Sequence, residues 1–278
     1  AMSTVLKSTN PTKTILGFAT LLDEKGEEMH KSKGNAIEFN VAADKIGVDV
    51  MRWMYTSQNP TQNLLFGYHK ADEVRRRFYL ILWNVYAFFV TYANLQRWNP
   101  KSKTVPHILD KWLVSKFNSL INTVTQTLEE YDCSKASQAI ENFVVMDLST
   151  WYVRRSRDRV SEALPTLYSI IVDLSKLISP FMPFVSEEIY MNLTGEDSVH
   201  LSDFPKANQK SIDKKLAEEM QYARQLVEEI HALRKIKGIK VRQPLKSLTY
   251  TGKKLQNDIE EIIAEEVNVK KIIFKKGA

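Results

Sequence analysis

Met29-His30-Lys31-Ser32-Lys33-Gly34-Asn35 is the stretch of this chain in which residue types and spacing most resemble chemical equipment. Two ammonium groups flank a hydroxyl, and the Gly-Asn that follows lets the backbone turn. Such a segment can close on a polyphosphate, offering cations and hydrogen-bond donors where negative charge develops. The same residues also make an ordinary solvated turn, and the motif alone does not separate the two readings.

Two further clusters carry positive charge. Trp151-Tyr152-Val153-Arg154-Arg155-Ser156-Arg157-Asp158-Arg159 sets four arginines and one aspartate on about two helical turns. One reading is internal: Arg154 pairs with Asp158 at i,i+4, and the other arginines meet carboxylates on neighbouring helices or sit solvated. The other is external, with Arg154, Arg155, Arg157, Arg159 and Trp151 stacking on or hydrogen-bonding to the unpaired bases of an RNA loop. The second cluster is Arg234, Lys235, Lys237, Lys240, Arg242 and Lys246, with no acidic residue among them. Cations without counter-charges favour a phosphate-facing surface. Arg75-Arg76-Arg77, at the start of an apolar helix, reads as snorkelling surface residues.

Other chemistries are poorly served. His30, His69, His107, His200 and His231 have neither metal-binding nor triad spacing, and no metal site is expected. A single cysteine, Cys133, excludes an internal disulfide framework, and the default setting is reducing and cytoplasmic. Glu129-Glu130, Glu187-Glu188, Glu218-Glu219 and Glu228-Glu229 read as solvated helix faces rather than acid/base dyads. There is no Gly-rich phosphate loop. The most apolar stretch, Phe78 to Ala93, falls short of the ~20 residues that span a bilayer, so a buried helix and no membrane association are expected.

These clusters need elements to hold them. The 278 residues, 44% hydrophobic and 26% charged with net charge +6, suffice for one large or two modest cores and suit a polyanionic partner. The patterning predicts a mainly α protein, an antiparallel helical bundle with a short N-terminal loop segment and a small C-terminal α/β appendage. Helices are expected over Val41–Ile46 and Val48–Tyr55, broken at Gly47, and then over Ala71–Leu95. After a polar linker, Lys101–Val105, Asp110 caps a helix through Tyr131 with the stripe Leu113, Phe117, Leu120, Val124 and Leu128. Ser134 opens a helix to about Val160, Pro165 sits in the first turn of the next to Ile178, and Phe184–Leu193 follows Pro180 and Pro183. Ile212–Lys237 is amphipathic on Leu216, Met220, Ala223, Val227, Ile230 and Leu233. Strand, helix and strand are expected over Leu245–Tyr250, Leu255–Glu266 and Val269–Phe274. Residues 1–40 then form the end of a larger domain carrying the basic loop, 41–205 the bundle, and 206–278 a long helix with the α/β subdomain. The Ala1-Met2 start reads as a cloning scar on a fragment.

Gly17-Phe18-Ala19-Thr20-Leu21-Leu22, then the basic loop with Ala36-Ile37, then Gly47-Val48-Asp49-Val50-Met51-Arg52, resembles the KMSKS loop and following helices of class I aminoacyl-tRNA synthetases. Further landmarks follow in the family's order: Asp147 to Tyr152 with the arginine run, Pro180-Phe181-Met182-Pro183, Ser186-Glu187-Glu188-Ile189-Tyr190, Ser198-Val199-His200-Leu201, Lys237 to Leu245, and Glu266-Val267-Asn268-Val269-Lys270. Together they resemble the anticodon-binding half of the isoleucyl-tRNA synthetases. That resemblance implies a larger enzyme that activates isoleucine with ATP and Mg2+ and charges isoleucine tRNA. It places the phosphate-closing lysine and serine on Lys31 and Ser32, beside Met29, His30, Lys33, Gly34 and Asn35. Trp151, Arg154, Arg155, Arg157, Arg159, Arg234, Lys235, Lys237, Lys240 and Arg242 become the residues expected at the tRNA anticodon arm. The sequence departs from the family at Glu28, where the first loop lysine stands, and at His30, where the middle serine stands. The family's His-x-Gly-His signature has no match. The resemblance therefore implies a C-terminal fragment, monomeric, inactive alone, and binding ATP and isoleucine only with the missing catalytic domain. A stand-alone RNA-binding module and a helical protein-interaction module are the alternatives.

Overall fold

The computed structural model describes residues 2–100 and 105–276. Ala1 and, apart from Val105, the predicted linker at 101–105 lie outside them. The described chain is mainly α-helical. In order, α1 (Met2–Lys7), β1 (Leu21–Leu22), a single 3-10 turn (Lys31–Lys33), α2 (Phe39–Ile46), α3 (Val48–Ser57) and β2 (Leu64–Leu65) precede α4 (Tyr68–Val74). A π-helical stretch, Arg75–Tyr79, continues α4 into α5 (Leu80–Leu95). Then come α6 (Ile108–Glu129), α7 (Cys133–Asn142) running on as a π-helical stretch to Val153, α8 (Val160–Ile178) and α9 (Pro183–Thr194). The long α10 (Lys214–Ile236) leads into β3 (Leu248–Tyr250), α11 (Asn257–Glu266) and β4 (Ile272–Phe274). Both small sheets are parallel, pairing Leu21 with Leu64 and Leu248 with Ile272. The α/β appendage is thus a β-α-β crossover, the connection that parallel strands require.

The chain forms two compact units, neither a single stretch of sequence. Unit 1 takes residues up to Phe88, Thr123–Ser149 and Ile171–Pro205; unit 2 takes Phe89–Asn122, Thr150–Ile170 and the chain from Lys206. In unit 1 Ala42, Ile46, Val50, Met51, Met54, Phe66 and Ala71 form a buried cluster, against which Met29 and Ile37 pack from either side of the basic loop. Trp53 stacks on Phe78 at 4.0 Å between ring centroids and meets the edge of Phe181 at 5.9 Å. One turn of α3 grips the start of α9. Asp49 accepts the backbone N–H groups of Phe184 and Val185 at 3.2 and 2.7 Å, and Arg52 donates to the carbonyls of Pro180 and Phe181 at 2.7 and 3.0 Å. The acceptor satisfies N–H groups that the start of α9 leaves orphaned, and the donor meets the loop carbonyls just before it. Burial nevertheless raises the Asp49 carboxyl above its usual range, against the pull of those two N–H groups.

In unit 2 Leu109, Trp112, Leu113, Phe117 and Leu120 of α6 are buried, as are Leu216, Met220, Ala223, Val227 and Ile230 of α10, and Ile259, Ile262 and Ile263 of α11. The predicted α6 and α10 stripes therefore face cores, except that Leu233 is 57% exposed while its neighbour Arg234 is 3% exposed.

Several boundaries are corrected. The helix expected from Ala71 begins at Tyr68, and with its π stretch it runs to Leu95. By length and composition that makes it the one helix among the described residues able to cross a membrane. In unit 1 it buries Phe78, Leu82, Val85 and Tyr86, but Leu80 and Trp83 are exposed and only 28% of the apolar window is buried, so the helix expected to be buried is buried on one face only. Asp110 is not the residue before α6 but lies in its first turn, reaching back to the backbone N–H of His107 at 2.8 Å, the return half of a capping box. Asp132, not Ser134, caps α7 through Lys135 N–H. The helix expected to end near Val160 breaks at Ser156–Arg159, and α8 already begins at Val160, so Pro165 sits inside it. One turn precedes that proline, and Ser161, whose carbonyl would have bonded its missing N–H, is exposed to water.

His107 reports on the start of α6. Its Nδ1 accepts from Leu109 N–H, which requires the neutral ring. Burial, then the Arg159 charge, hold its pKa below the ordinary value, against the opposing pull of Asp110, Glu162 and Asp258. Since the unfolded chain then binds more protons as acid is added, the stability contributed by the neutral ring is present above the ordinary histidine value and is lost as pH falls through the depressed one. Urea unfolding between about pH 7.5 and about pH 5.5 should show an acid-side loss of stability that is reduced in His107→Gln; an identical profile in the variant would refute this assignment.

Candidate phosphate and nucleic-acid interface

The basic loop stands on a small polar scaffold. Lys31–Lys33 form one 3-10 turn with His30 extended before it and Gly34 left-handed after it (φ 70°), a conformation that suits glycine. Lys31, Ser32 and Lys33 are exposed, and Asn35 beneath them is half-buried. The Asn35 Oδ1 accepts His30 N–H at 2.9 Å, while its Nδ2 donates to Asp23 Oδ2 at 2.9 Å and to the Glu28 carbonyl at 3.2 Å. Asp23 also accepts the N–H groups of Lys25 and Glu27, each at 2.9 Å. These bonds, led by that of Glu27, hold its carboxyl below the usual range. The adjacent Glu24 accepts the Lys70 N–H at 2.9 Å in the first turn of α4, crossing Gly67, where a β-carbon would come within 2.3 Å of its Cγ. Of the two family departures, Glu28 and His30 contact each other at 3.3 Å on the surface. The arrangement presents two cations and a hydroxyl outward from a fixed base.

The arginine run divides. Arg159 bonds the buried Asp110, Nη2 to Oδ1 at 2.5 Å and Nη1 to Oδ2 at 3.2 Å, and Tyr152 donates its hydroxyl to the same carboxylate at 2.5 Å. Burial works against the Arg159 charge, but the bonds and charge of Asp110 prevail and its pKa is raised; the Tyr152 hydroxyl is pushed far up by burial and by that carboxylate. Arg155, 8% exposed at its side chain, pairs with Glu266 and, at 3.0 Å, with Glu265. Arg154 also reaches Glu266 yet is 54% exposed. His231 approaches Glu266 at 3.6 Å. Trp151 is buried, with Arg155 and Arg224 over its ring at 5.9 and 5.3 Å. Arg157 is exposed.

The second basic cluster is organised by its first member. Arg234 donates to the carbonyls of Lys240, Gln243, Val267 and Asn268 at 3.0, 3.1, 2.7 and 3.1 Å. It ties the turn after α10 to the end of α11. Lys235, Lys237, Lys240, Arg242 and Lys246 around it are exposed.

Four of the residues expected at RNA face the protein interior. Trp151, Arg155, Arg159 and Arg234 are turned inward: the guanidinium groups, on helix faces that pack, take their partners from the protein, while the Trp151 ring lies under Arg155 and Arg224 and its Nε1 has no hydrogen-bond partner among the described residues. Arg154, Arg157, Lys235, Lys237, Lys240 and Arg242 remain available to a polyanion. The expected Arg154–Asp158 pair is replaced by Arg154–Glu266. From sequence none of Asp23, Glu24, Asp110 and Glu266 is a site candidate: Asp110 enters only as a helix cap and Glu266 only within a family landmark. A signal existed for two of them: Asp110 and Glu266 occupy positions that the apolar spacing of α6 and α11 assigns to buried faces. Among the described residues no three His, Cys, Asp or Glu gather as a metal site.

Residues 110–249 match the family model of the anticodon-binding domain of tRNA ligase, and residues 1–67 match the model of class I tRNA synthetases (I, L, M and V). The chain is 37% identical to the isoleucine-tRNA ligase of Porphyromonas gingivalis and 39% identical to that of Clostridium tetani, each across 99% of its own length. It spans only 26% and 28% of those relatives. The LeuRS of Agrobacterium radiobacter K84, solved in a ternary complex with tRNA and LeuAMS, shares the fold over 70% of this chain and 24% of its own, with TM-score 0.55 and 17% identity.

The division of the arginines is measurable. Arg234→Met leaves four carbonyls without their donor and should cost about 2–4 kcal/mol in chemical denaturation. Lys237→Met, on the exposed rim, should stay within about 0.5 kcal/mol. Equal effects would refute the inward assignment of Arg234.

Proposed function

This chain belongs to the family of the anticodon-binding domain of tRNA ligases, and from that premise we propose that it is part of an isoleucine-tRNA ligase, binding isoleucine tRNA at the anticodon arm. The observation that carries the reading is the exposed cationic set of unit 2. With the buried arginines accounted for, Arg154, Arg157, Lys235, Lys237, Lys240 and Arg242 still face water. Cations at such positions position a nucleic-acid backbone and make its binding salt-dependent. The isoleucine assignment rests on relatives of which this chain spans little more than a quarter, so isoleucine, ATP and the ligase reaction belong to the proposal.

In unit 1 the proposal gives Lys31 and Ser32 to the phosphates of ATP. Their exposure, with Lys33 beside them, fits a ligand arriving from outside the described residues. ATP with Mg2+ supplies the adenylyl group through which the amino acid is activated; the chain's part is to offer Lys31 Nζ and Ser32 Oγ where charge builds up. No cluster of described carboxylates fits Mg2+, so the ion would come with the nucleotide or be held elsewhere. The functional division then runs 1–40 as the end of the catalytic domain, 41–205 as the bundle, and 206–278 as the C-terminal subdomain. The alternatives, a stand-alone RNA-binding module or a helical interaction module, remain outcomes of the test.

Binding to isoleucine, valine and methionine tRNAs at two salt concentrations tests the reading. The expected result is preference for isoleucine tRNA, abolished by anticodon substitution, with a log-log salt slope that falls by roughly 0.7–0.9 for each of Lys237→Ala, Lys240→Ala and Arg242→Ala. Equal binding to all three tRNAs would reassign selectivity to other parts of the enzyme, and no binding would favour the interaction module.

A further inference from the structure

Asn35 and Asp23 lie outside the cationic set, yet every bond they make converges on its base. The geometry points to these two as positioning residues for the Lys31–Ser32 loop: Asn35 is a pin through both ends of the Glu28–Asn35 segment, and Asp23 is the ionised post to which the pin is fixed. This inference rests on the reading of that loop as a phosphate site.

The amide of Asn35 is used with only one orientation possible. Its oxygen faces an N–H, that of His30, and its nitrogen faces two acceptors, Asp23 Oδ2 and the Glu28 carbonyl. It therefore holds residues 28, 30 and 35 together, with Lys31, Ser32 and Lys33 as the span between fixed ends. Asp23 meets donors only: Lys25 N–H, Glu27 N–H and Asn35 Nδ2. A protonated or amidated side chain there would bring a donor against a donor. The post is itself anchored, since Asp23 N–H donates to the Glu27 carbonyl at 2.8 Å and the next residue, Glu24, is tied to α4 through Lys70. Met29 and Ile37 seat the same segment on the apolar core of unit 1. Thus the backbone carrying Lys31 is set before any phosphate arrives, which lowers the ordering cost that binding would otherwise meet.

The test uses the chain itself, with two readouts: hydrogen exchange at the His30 amide, and binding of inorganic tripolyphosphate followed by the amide shifts of Lys31–Gly34. Asp23→Asn and Asn35→Asp each break the match, and each should speed His30 exchange and weaken tripolyphosphate binding by about tenfold. The double swap D23N/N35D again faces a donor with an acceptor between residues 23 and 35, but sets a carboxylate oxygen against the Glu28 carbonyl; it leaves the net charge as in the wild type and should recover part of both losses. Lys31→Ala is the control: it should lose binding while leaving His30 exchange unchanged. The positioning role is overturned if the single variants bind and exchange like the wild type, or if the swap recovers nothing while the melting temperature is unaltered. If the wild-type chain does not bind tripolyphosphate although His30 is protected, the phosphate reading of the loop falls, and this role with it; unprotected His30 in a chain that does bind overturns the pin alone.

Discussion

A charge taken out of water must be given partners, and that constraint decides which of this protein's cations can act on anything else. Desolvating a guanidinium or carboxylate costs several kcal/mol, offset only where hydrogen bonds complete its coordination. Asp110 is 1% exposed and is completed by Arg159, Tyr152 and the His107 N–H. Glu266 is completed by Arg154 and Arg155. Arg234 has no carboxylate and draws on four backbone carbonyls instead. Each of these sets joins segments distant in sequence, so the ions that look most available in the chain act as its internal fasteners.

The same economy governs unit 1 with backbone groups in place of counter-ions. The single turn Asp49 to Trp53 caps the start of α9, holds the carbonyls of Pro180 and Phe181, and stacks on Phe78. Arg75, taken for a snorkelling residue, closes the end of α2 by donating to the carbonyls of Lys45 and Ile46 at 3.0 and 2.7 Å, besides pairing with Asp72. Arg77 reaches Glu141 at 2.6 Å, a carboxylate that also accepts from Trp53 Nε1. The basic loop is then the exception that stands out: its lysines have no such duties, while its uncharged members carry the structure.

Function on this view belongs to what is left over. In unit 2 the residual cations Lys235, Lys237, Lys240 and Arg242 lie on or beside the turn that Arg234 clamps, so a residue that does not face solvent sets the position of those that do. In unit 1 Asn35 and Met29 hold Lys31 in the same way. Inward residues fix geometry and outward residues face water; under the proposed function the outward ones are those offered to the polyanion.

The sequence alone determined the helical architecture, the β-α-β appendage, the stripes of α6 and α10 and the basic loop, because these depend on local periodicity, turn chemistry and a run of motifs. It also determined the family, through motifs in a fixed order. It did not determine where helix boundaries fall around Ser156 and Pro165, nor which face a charged residue takes. On α10 the spacing from Ile230 permits either Leu233 at three residues or Arg234 at four. Hydropathy favours the leucine, but four carbonyls converging from the 240–243 turn and the end of α11 favour the arginine, and the leucine is left in water. That outcome lies in tertiary structure alone, since the partners that make burial of a charge tolerable are contributed by segments up to 34 residues away and have no signature at the position they serve.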